Sequence, residues 1–129
     1  MLTKPNTATP PENTEARITS LLAEMTLEEK VGQLTQFSGL HRGIIGSMLN
    51  VVGYDDIMAF QKMAVENSRL GIPMLFAYDV IHGQKTMFPI PLAEAASWDL
   101  DLIEQSARVA AVEAAAQGLQ WTFAPMIDV

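Results

Sequence analysis

Apolar positions recur at helical spacing in several stretches of the chain and as short unbroken runs in others. Ile18, Leu21, Leu22 and Met25 fall on one face of a helix expected over Glu15 to Met25. A second helix begins at once, because Thr26-Leu27-Glu28-Glu29 has the form of a capping box: the threonine hydroxyl and the glutamate three residues on each serve the other's backbone amide. Val31 and Leu34 continue its apolar face. Asp55 to Arg69 predicts the next helix, with two acids at its positive end, Arg69 at its negative end, Ile57, Phe60 and Ala64 facing inward, and Gly71 closing it. Asp99 to Gln117 predicts the last, with Ser97 as its cap, Ile103, Ala107, Ala110 and Ala114 on one stripe, and Gly118 as its stop.

Between the helices lie three apolar runs of strand type, Ser47 to Val52, Met74 to Tyr78 and Trp121 to Ile127, the last interrupted by Pro125. Runs that are apolar on both faces suit the buried strands of a parallel sheet. The expected order is helix, strand, helix, strand, helix, strand, which implies right-handed crossovers and an α/β fold, either doubly wound or closed as a barrel. Three parallel strands with Trp121 to Ile127 at the edge leave apolar surface uncovered, so the expectation is an incomplete sheet. Residues 1 to 14 are rich in Pro and Thr and are expected to form a flexible lead-in to a folded portion spanning 15 to 129.

Composition narrows the function classes. With hydrophobic residues at 49% the chain has the makeup of globular α/β material. A net charge of -7 with only 8 Lys+Arg excludes the basic surface that nucleic-acid binding requires. The chain has 0 cysteines, so thiolate metal sites, disulfides and cysteine nucleophiles are ruled out, and two scattered histidines, His41 and His82, do not make a zinc site. No apolar stretch is long enough to span a bilayer, and residues 1 to 14 contain no apolar leader core, so the sequence as written reads as cytoplasmic. Gly43-Ile44-Ile45-Gly46 falls short of a dinucleotide fingerprint, and neither a phosphate-binding Gly-Lys-Ser/Thr nor a Gly-x-Ser-x-Gly elbow occurs.

In parallel α/β folds the functional groups gather at the carboxyl ends of the strands. Two aspartates fall there. Asp79 ends the run Met74-Leu75-Phe76-Ala77-Tyr78, and Asp128 ends Phe123-Ala124-Pro125-Met126-Ile127. A capping or turn-forming role is the alternative to a functional one for Asp79. His82 follows in a glycine-containing turn, suited either to orienting a carboxylate or to bonding within its own loop. His41, Arg42 and Lys85 read as solvated loop residues, and Tyr78 and Trp98 as packing aromatics.

Four stretches taken together resemble the N-terminal domain of the family 3 glycoside hydrolases. They are Met25-Thr26-Leu27-Glu28-Glu29-Lys30-Val31-Gly32-Gln33-Leu34; Gly71-Ile72-Pro73 through Asp79-Val80-Ile81-His82-Gly83; Phe88-Pro89 with Leu92-Ala93 and Ala95-Ala96-Ser97-Trp98; and Trp121-Thr122-Phe123-Ala124-Pro125-Met126-Ile127-Asp128. The resemblance is nearest to bacterial β-glucosidases of the periplasmic type, and the Asp79 to Gly83 segment is more similar to the glucosidase and xylosidase branch than to the hexosaminidases. It implies the N-terminal part of a (β/α)8 TIM-like barrel, incomplete here, that is followed in the family by the rest of the barrel and an α/β sandwich domain.

The same resemblance implies a periplasmic or secreted setting, a β-glucoside or oligosaccharide substrate, and neither metal nor organic cofactor. It gives Asp79 the role of binding sugar hydroxyls, and His82 and Asp128 that of shaping the site. The family's aspartate nucleophile, in a Ser-Asp-Trp motif, and its glutamate acid/base have no counterpart in these residues. The expected whole is a retaining, exo-acting β-glycosidase, and no catalytic residue is assigned here. The alternative is a small non-catalytic α/β carbohydrate-binding or interaction domain.

Overall fold

A computed structural model describes residues 13–38 and 45–127. The elements follow in the order α1 (Thr14–Glu24), α2 (Leu27–Gln33), β1 (Gln36–Ser38), β2 (Ser47–Leu49), α3 (Tyr54–Asn67), β3 (Leu75–Tyr78), α4 (Pro91–Ala95), α5 (Leu100–Ala116) and β4 (Trp121–Thr122). The four strands form one parallel sheet in the order β1-β2-β3-β4. Strand order therefore follows chain order, as in a (β/α) barrel, while β1 and β4 stand at open edges. The lead-in expected over residues 1–14 lies almost wholly outside the described residues.

Local sequence accounts for the helix starts. Thr26 closes the capping box with Glu29: the Glu29 amide donates to the threonine hydroxyl at 3.2 Å and the Thr26 amide to the Glu29 carboxylate at 2.8 Å. At α5 the cap is Asp99, not Ser97, because the aspartate carboxylate accepts the Leu102 amide at 3.0 Å. Ser97 instead accepts the Asp99 amide and donates to the Glu94 carbonyl, ending α4. Gly118 stops α5 as expected, with φ of 89, and a side chain there would press on Ile57 Cγ2 at 2.9 Å. The stop and the close approach of α3 to the end of α5 thus need the same glycine.

Three expectations give way. Among the described residues the sheet has four strands instead of three, since Gln36-Phe37-Ser38 pairs with Ser47–Leu49; the run is short and polar enough to carry no strand signature. The run from Trp121 contributes only two strand residues. Arg69 lies beyond the end of α3, which closes at Ser68, and its guanidinium serves α1 and α2: it donates to the Glu24 carbonyl at 2.9 Å and to the Glu29 carboxylate.

The core lies under β2 and β3, where Met48, Phe76 and Ile57 are the largest fully buried side chains, joined by Ile45, Val51, Val80, Ala110, Ala114 and Leu119. Burial of each large side chain contributes roughly 1.5–3 kcal/mol. On α5 the inward stripe is Ser106, Ala110 and Ala114, with Ile103 half-buried and Ala107 exposed. The apolar face expected of α2 is turned to solvent: Leu34 is 90% exposed and Val31 56%.

Candidate functional site

The carboxyl ends of the strands present Ser38, Asn50, Asp79 and Thr122 along one rim of the sheet. Asn50, with φ of 64, donates its amide to the Ala77 carbonyl at 3.2 Å and its side-chain nitrogen to Ser38 Oγ at 3.1 Å. Asp79 leaves the end of β3, next to the centre of the sheet, and is exposed. Its carbonyl accepts a long 3.4 Å bond from Thr122 Oγ1, and its carboxylate bonds to no group among the described residues. The next residue turns the other way. Val80 is buried at 6% and has φ of 52, a left-handed conformation that a β-branched side chain adopts only under constraint, at a cost of order 1–3 kcal/mol. Sending Val80 into the core is what leaves Asp79 facing outward.

The segment after Val80 is tied at several points. His82 Nδ1 lies 3.1 Å from the Phe88 carbonyl oxygen, and the Phe88 amide donates to the His82 carbonyl at 2.7 Å. A carbonyl only accepts, so Nδ1 carries a proton. Gly83 has φ of 118, and the Thr86 carbonyl occupies the space that a Cβ would need. The Glu113 carboxylate on α5 accepts the Lys85 amide at 2.8 Å, the Thr86 amide at 2.8 Å and the Thr86 hydroxyl at 2.7 Å. These bonds, the Thr86 amide first, hold its carboxyl below the usual carboxylate range. One turn along, Gln117 Oε1 accepts Gln84 Nε2 at 2.8 Å. A cavity of about 220 Å³ lies between this segment and α5, with His82 and Glu94 in its wall.

A larger cavity, about 590 Å³, lies at the opposite side of the sheet, where Ile45 and Met74 lead into β2 and β3 and Met25, Phe60 and Met63 complete the wall. Its rim carries the Glu29–Arg69 pair, with Arg69 Nε 3.0 Å from Glu29 Oε1. The guanidinium, and then the Thr26 amide, lower the Glu29 carboxyl from 4.5 to about 2. Size is a poor guide to function here, because ligands of parallel α/β folds collect at the carboxyl ends of the strands.

Of the residues singled out in the sequence, Asp79 and His82 fall in one turn, while Asp128, His41 and Arg42 lie outside the described residues. His82 bonds within its own loop. Tyr78 packs against the core, and Trp98 is 91% exposed. Lys85 contributes its backbone amide, and Glu113 and Gln117, which the sequence reading passed over, grip the segment that carries His82. A signal for Glu113 was present: it is the one charged residue in Val109-Ala110-Ala111-Val112-Glu113-Ala114-Ala115-Ala116. Among the described residues no three His, Asp or Glu side chains come together as a metal site, and no helix is long and apolar enough to cross a membrane.

Comparison with known proteins converges on one family. The glycosyl hydrolase family 3 N terminal domain matches residues 8–129. A periplasmic beta-glucosidase of Salmonella typhimurium is 44% identical over 92% of this chain, and a lysosomal beta glucosidase of Dictyostelium discoideum is 29% identical over 87%. The chain spans 17% and 18% of the lengths of these two relatives. Crystal structures of a β-glucosidase from Listeria innocua superpose with TM-scores of 0.82 for the complex with isofagomine and 0.81 for a mutant with laminaribiose, at 37% and 35% identity. These cover 89% and 88% of this chain and 18% and 19% of the Listeria chains. The open parallel sheet therefore matches the barrel-like N-terminal domain of these enzymes, and the chain belongs to glycoside hydrolase family 3.

Proposed function

We propose that Asp79 binds hydroxyls of the non-reducing-end sugar in a retaining, exo-acting β-glucosidase, and that this chain forms the first part of that enzyme's catalytic barrel. The observation that carries the reading is the position of Asp79: exposed at the carboxyl end of a strand inside the sheet, with a carboxylate that no described group engages. A carboxylate there accepts two hydrogen bonds from adjacent hydroxyls, and these strengthen as the ring moves toward an oxocarbenium-like state. His82, fixed to Phe88, shapes the turn beside it, and Asp128 is proposed to do the same beyond β4.

Cleavage itself needs a carboxylate nucleophile and a carboxyl acid/base flanking the bond. In the family these come from motifs absent from the 129 residues, so the proposal assigns binding to this chain and chemistry to residues beyond it. The proposal extends to the periplasm as the working compartment, as in the Salmonella relative.

The test is turnover of an aryl β-glucoside. In an enzyme containing this chain with the rest of the barrel and the sandwich domain, Asp79→Ala should lower kcat/KM by about 10²- to 10⁴-fold, the loss of two charge-assisted hydrogen bonds in the transition state. The 129-residue chain alone should show no turnover. Turnover by the pure chain that Asp79→Ala abolishes would overturn the division of labour, and an unchanged kcat/KM in the larger enzyme would overturn the role of Asp79.

A further inference from the structure

We propose that Glu113 is a positioning residue for Asp79: by gripping the middle of the segment between Val80 and Phe88, it fixes the direction in which the Asp79 carboxylate leaves the end of β3. The inference rests on the reading of Asp79 as a sugar ligand.

The segment is anchored at one end by β3 and at the other by the paired hydrogen bonds of His82 and Phe88. Between these anchors the amides of Lys85 and Thr86 have no strand or helix partner, and both turn to one carboxylate oxygen of Glu113 while the Thr86 hydroxyl takes the other. Gln117 holds Gln84 from the next turn of α5. The helix therefore grips three consecutive residues with two side chains on one face. Gly83 lets the Thr86 carbonyl close over the turn where any other residue would meet it.

Val80 explains why that grip matters to Asp79. A β-branched residue with φ of 52 keeps that conformation only while its surroundings enforce it. If the segment is released, Val80 relaxes toward ordinary extended or helical backbone, and the peptide it shares with Asp79 rotates with it. The carboxylate then points elsewhere although β3 is intact. Placement errors of this kind cost up to about a hundredfold even when they begin away from the reacting groups.

The experiment follows amide resonances of these residues during titration with glucose, in an enzyme containing this chain with the rest of the barrel and the sandwich domain, for the unsubstituted protein, Glu113→Ala, Glu113→Gln and Asp79→Asn. Expected for Glu113→Ala are faster hydrogen exchange at Lys85 and Thr86, unmoved resonances of Met48 and Phe76, and glucose binding weakened about tenfold or more. Glu113→Gln keeps an accepting oxygen and should recover part of the affinity. Unchanged glucose affinity in Glu113→Gln and Glu113→Ala, alongside its loss in Asp79→Asn, would overturn the positioning role and leave the Asp79 reading standing. Full affinity in Asp79→Asn would overturn both. If Glu113→Ala loses the core resonances, Glu113→Gln decides: an intact core with faster exchange and undiminished affinity sinks the proposal.

Discussion

On the amino-terminal side of the sheet a glutamate holds a cation, and on the carboxyl-terminal side a glutamate holds a loop. Glu29 joins the start of α2 to Arg69, and Arg69 in turn closes the last carbonyl of α1, so three segments are fastened by side chains whose charges are all matched. Glu113 engages two backbone amides and a hydroxyl, with no cation among its hydrogen-bond partners, and the strained turn it steadies sets Asp79 outward without a described partner. Matched charges make a scaffold. A carboxylate left unmatched beside a fixed loop is what the proposed sugar site rests on, even though the cavity there is the smaller of the two described.

The most damaging test of this contrast removes what the two sides share. Phe76 in β3 is fully buried and its amide is held by Gln120 Oε1 at 2.9 Å. Phe76→Ala should cost about 3–5 kcal/mol and loosen both sides together in denaturant unfolding. Loss of order on one side only would show that β3 does not couple them. Gly83→Ala should separate them. It places a side chain against the Thr86 carbonyl at positive φ and should cost about 2 kcal/mol, abolish the glucose response and leave the Thr26 and Arg69 resonances in place. Thr26→Ala is the mirror experiment, removing the cap that accepts the Glu29 amide at a cost of about 1 kcal/mol. Glucose binding should survive it; a fall in affinity would mean that the amino-terminal lock reaches the site.

Much of this architecture was legible from the chain. The capping box at Thr26, the stop at Gly118 and the placement of Asp79 at a strand end follow from short-range rules whose partners lie within four residues. What was hidden depends on partners far along the chain. Arg69 reads as the end of its own helix, yet its partners lie 40 and 45 residues away in α2 and α1. Glu113 went unnoticed because its partners are 27 and 28 residues earlier, in a loop whose path no local pattern specifies. β1 was hidden because three residues, two of them polar, form a strand only when β2 lies beside them. Leu34 and Val31 were misjudged for the converse reason: apolar spacing marks a face and does not say what covers it.

The gentlest test uses acid, and it separates the two glutamates by the nature of their partners. A carboxyl whose pKa is lower in the folded chain than in the unfolded one stabilises the fold fully above the unfolded value and loses that contribution as pH falls through the folded value. For Glu29 the loss should run from 4.5 down to about 2, and for Glu113 it has the same sign, lost on acidification below the usual carboxylate range. The pair with Arg69 involves a full charge on a side chain that is 53% exposed, so salt at about 1 M should screen it and raise the pH at which the Thr26 amide resonance titrates. The donors to Glu113 are two amides and a hydroxyl, so the titration seen at the Thr86 amide should move far less with salt. Equal salt shifts at Thr26 and Thr86 would mean that both carboxylates feel the general field of the protein more than their own partners, and the distinction between a matched lock and a fixed loop would fail.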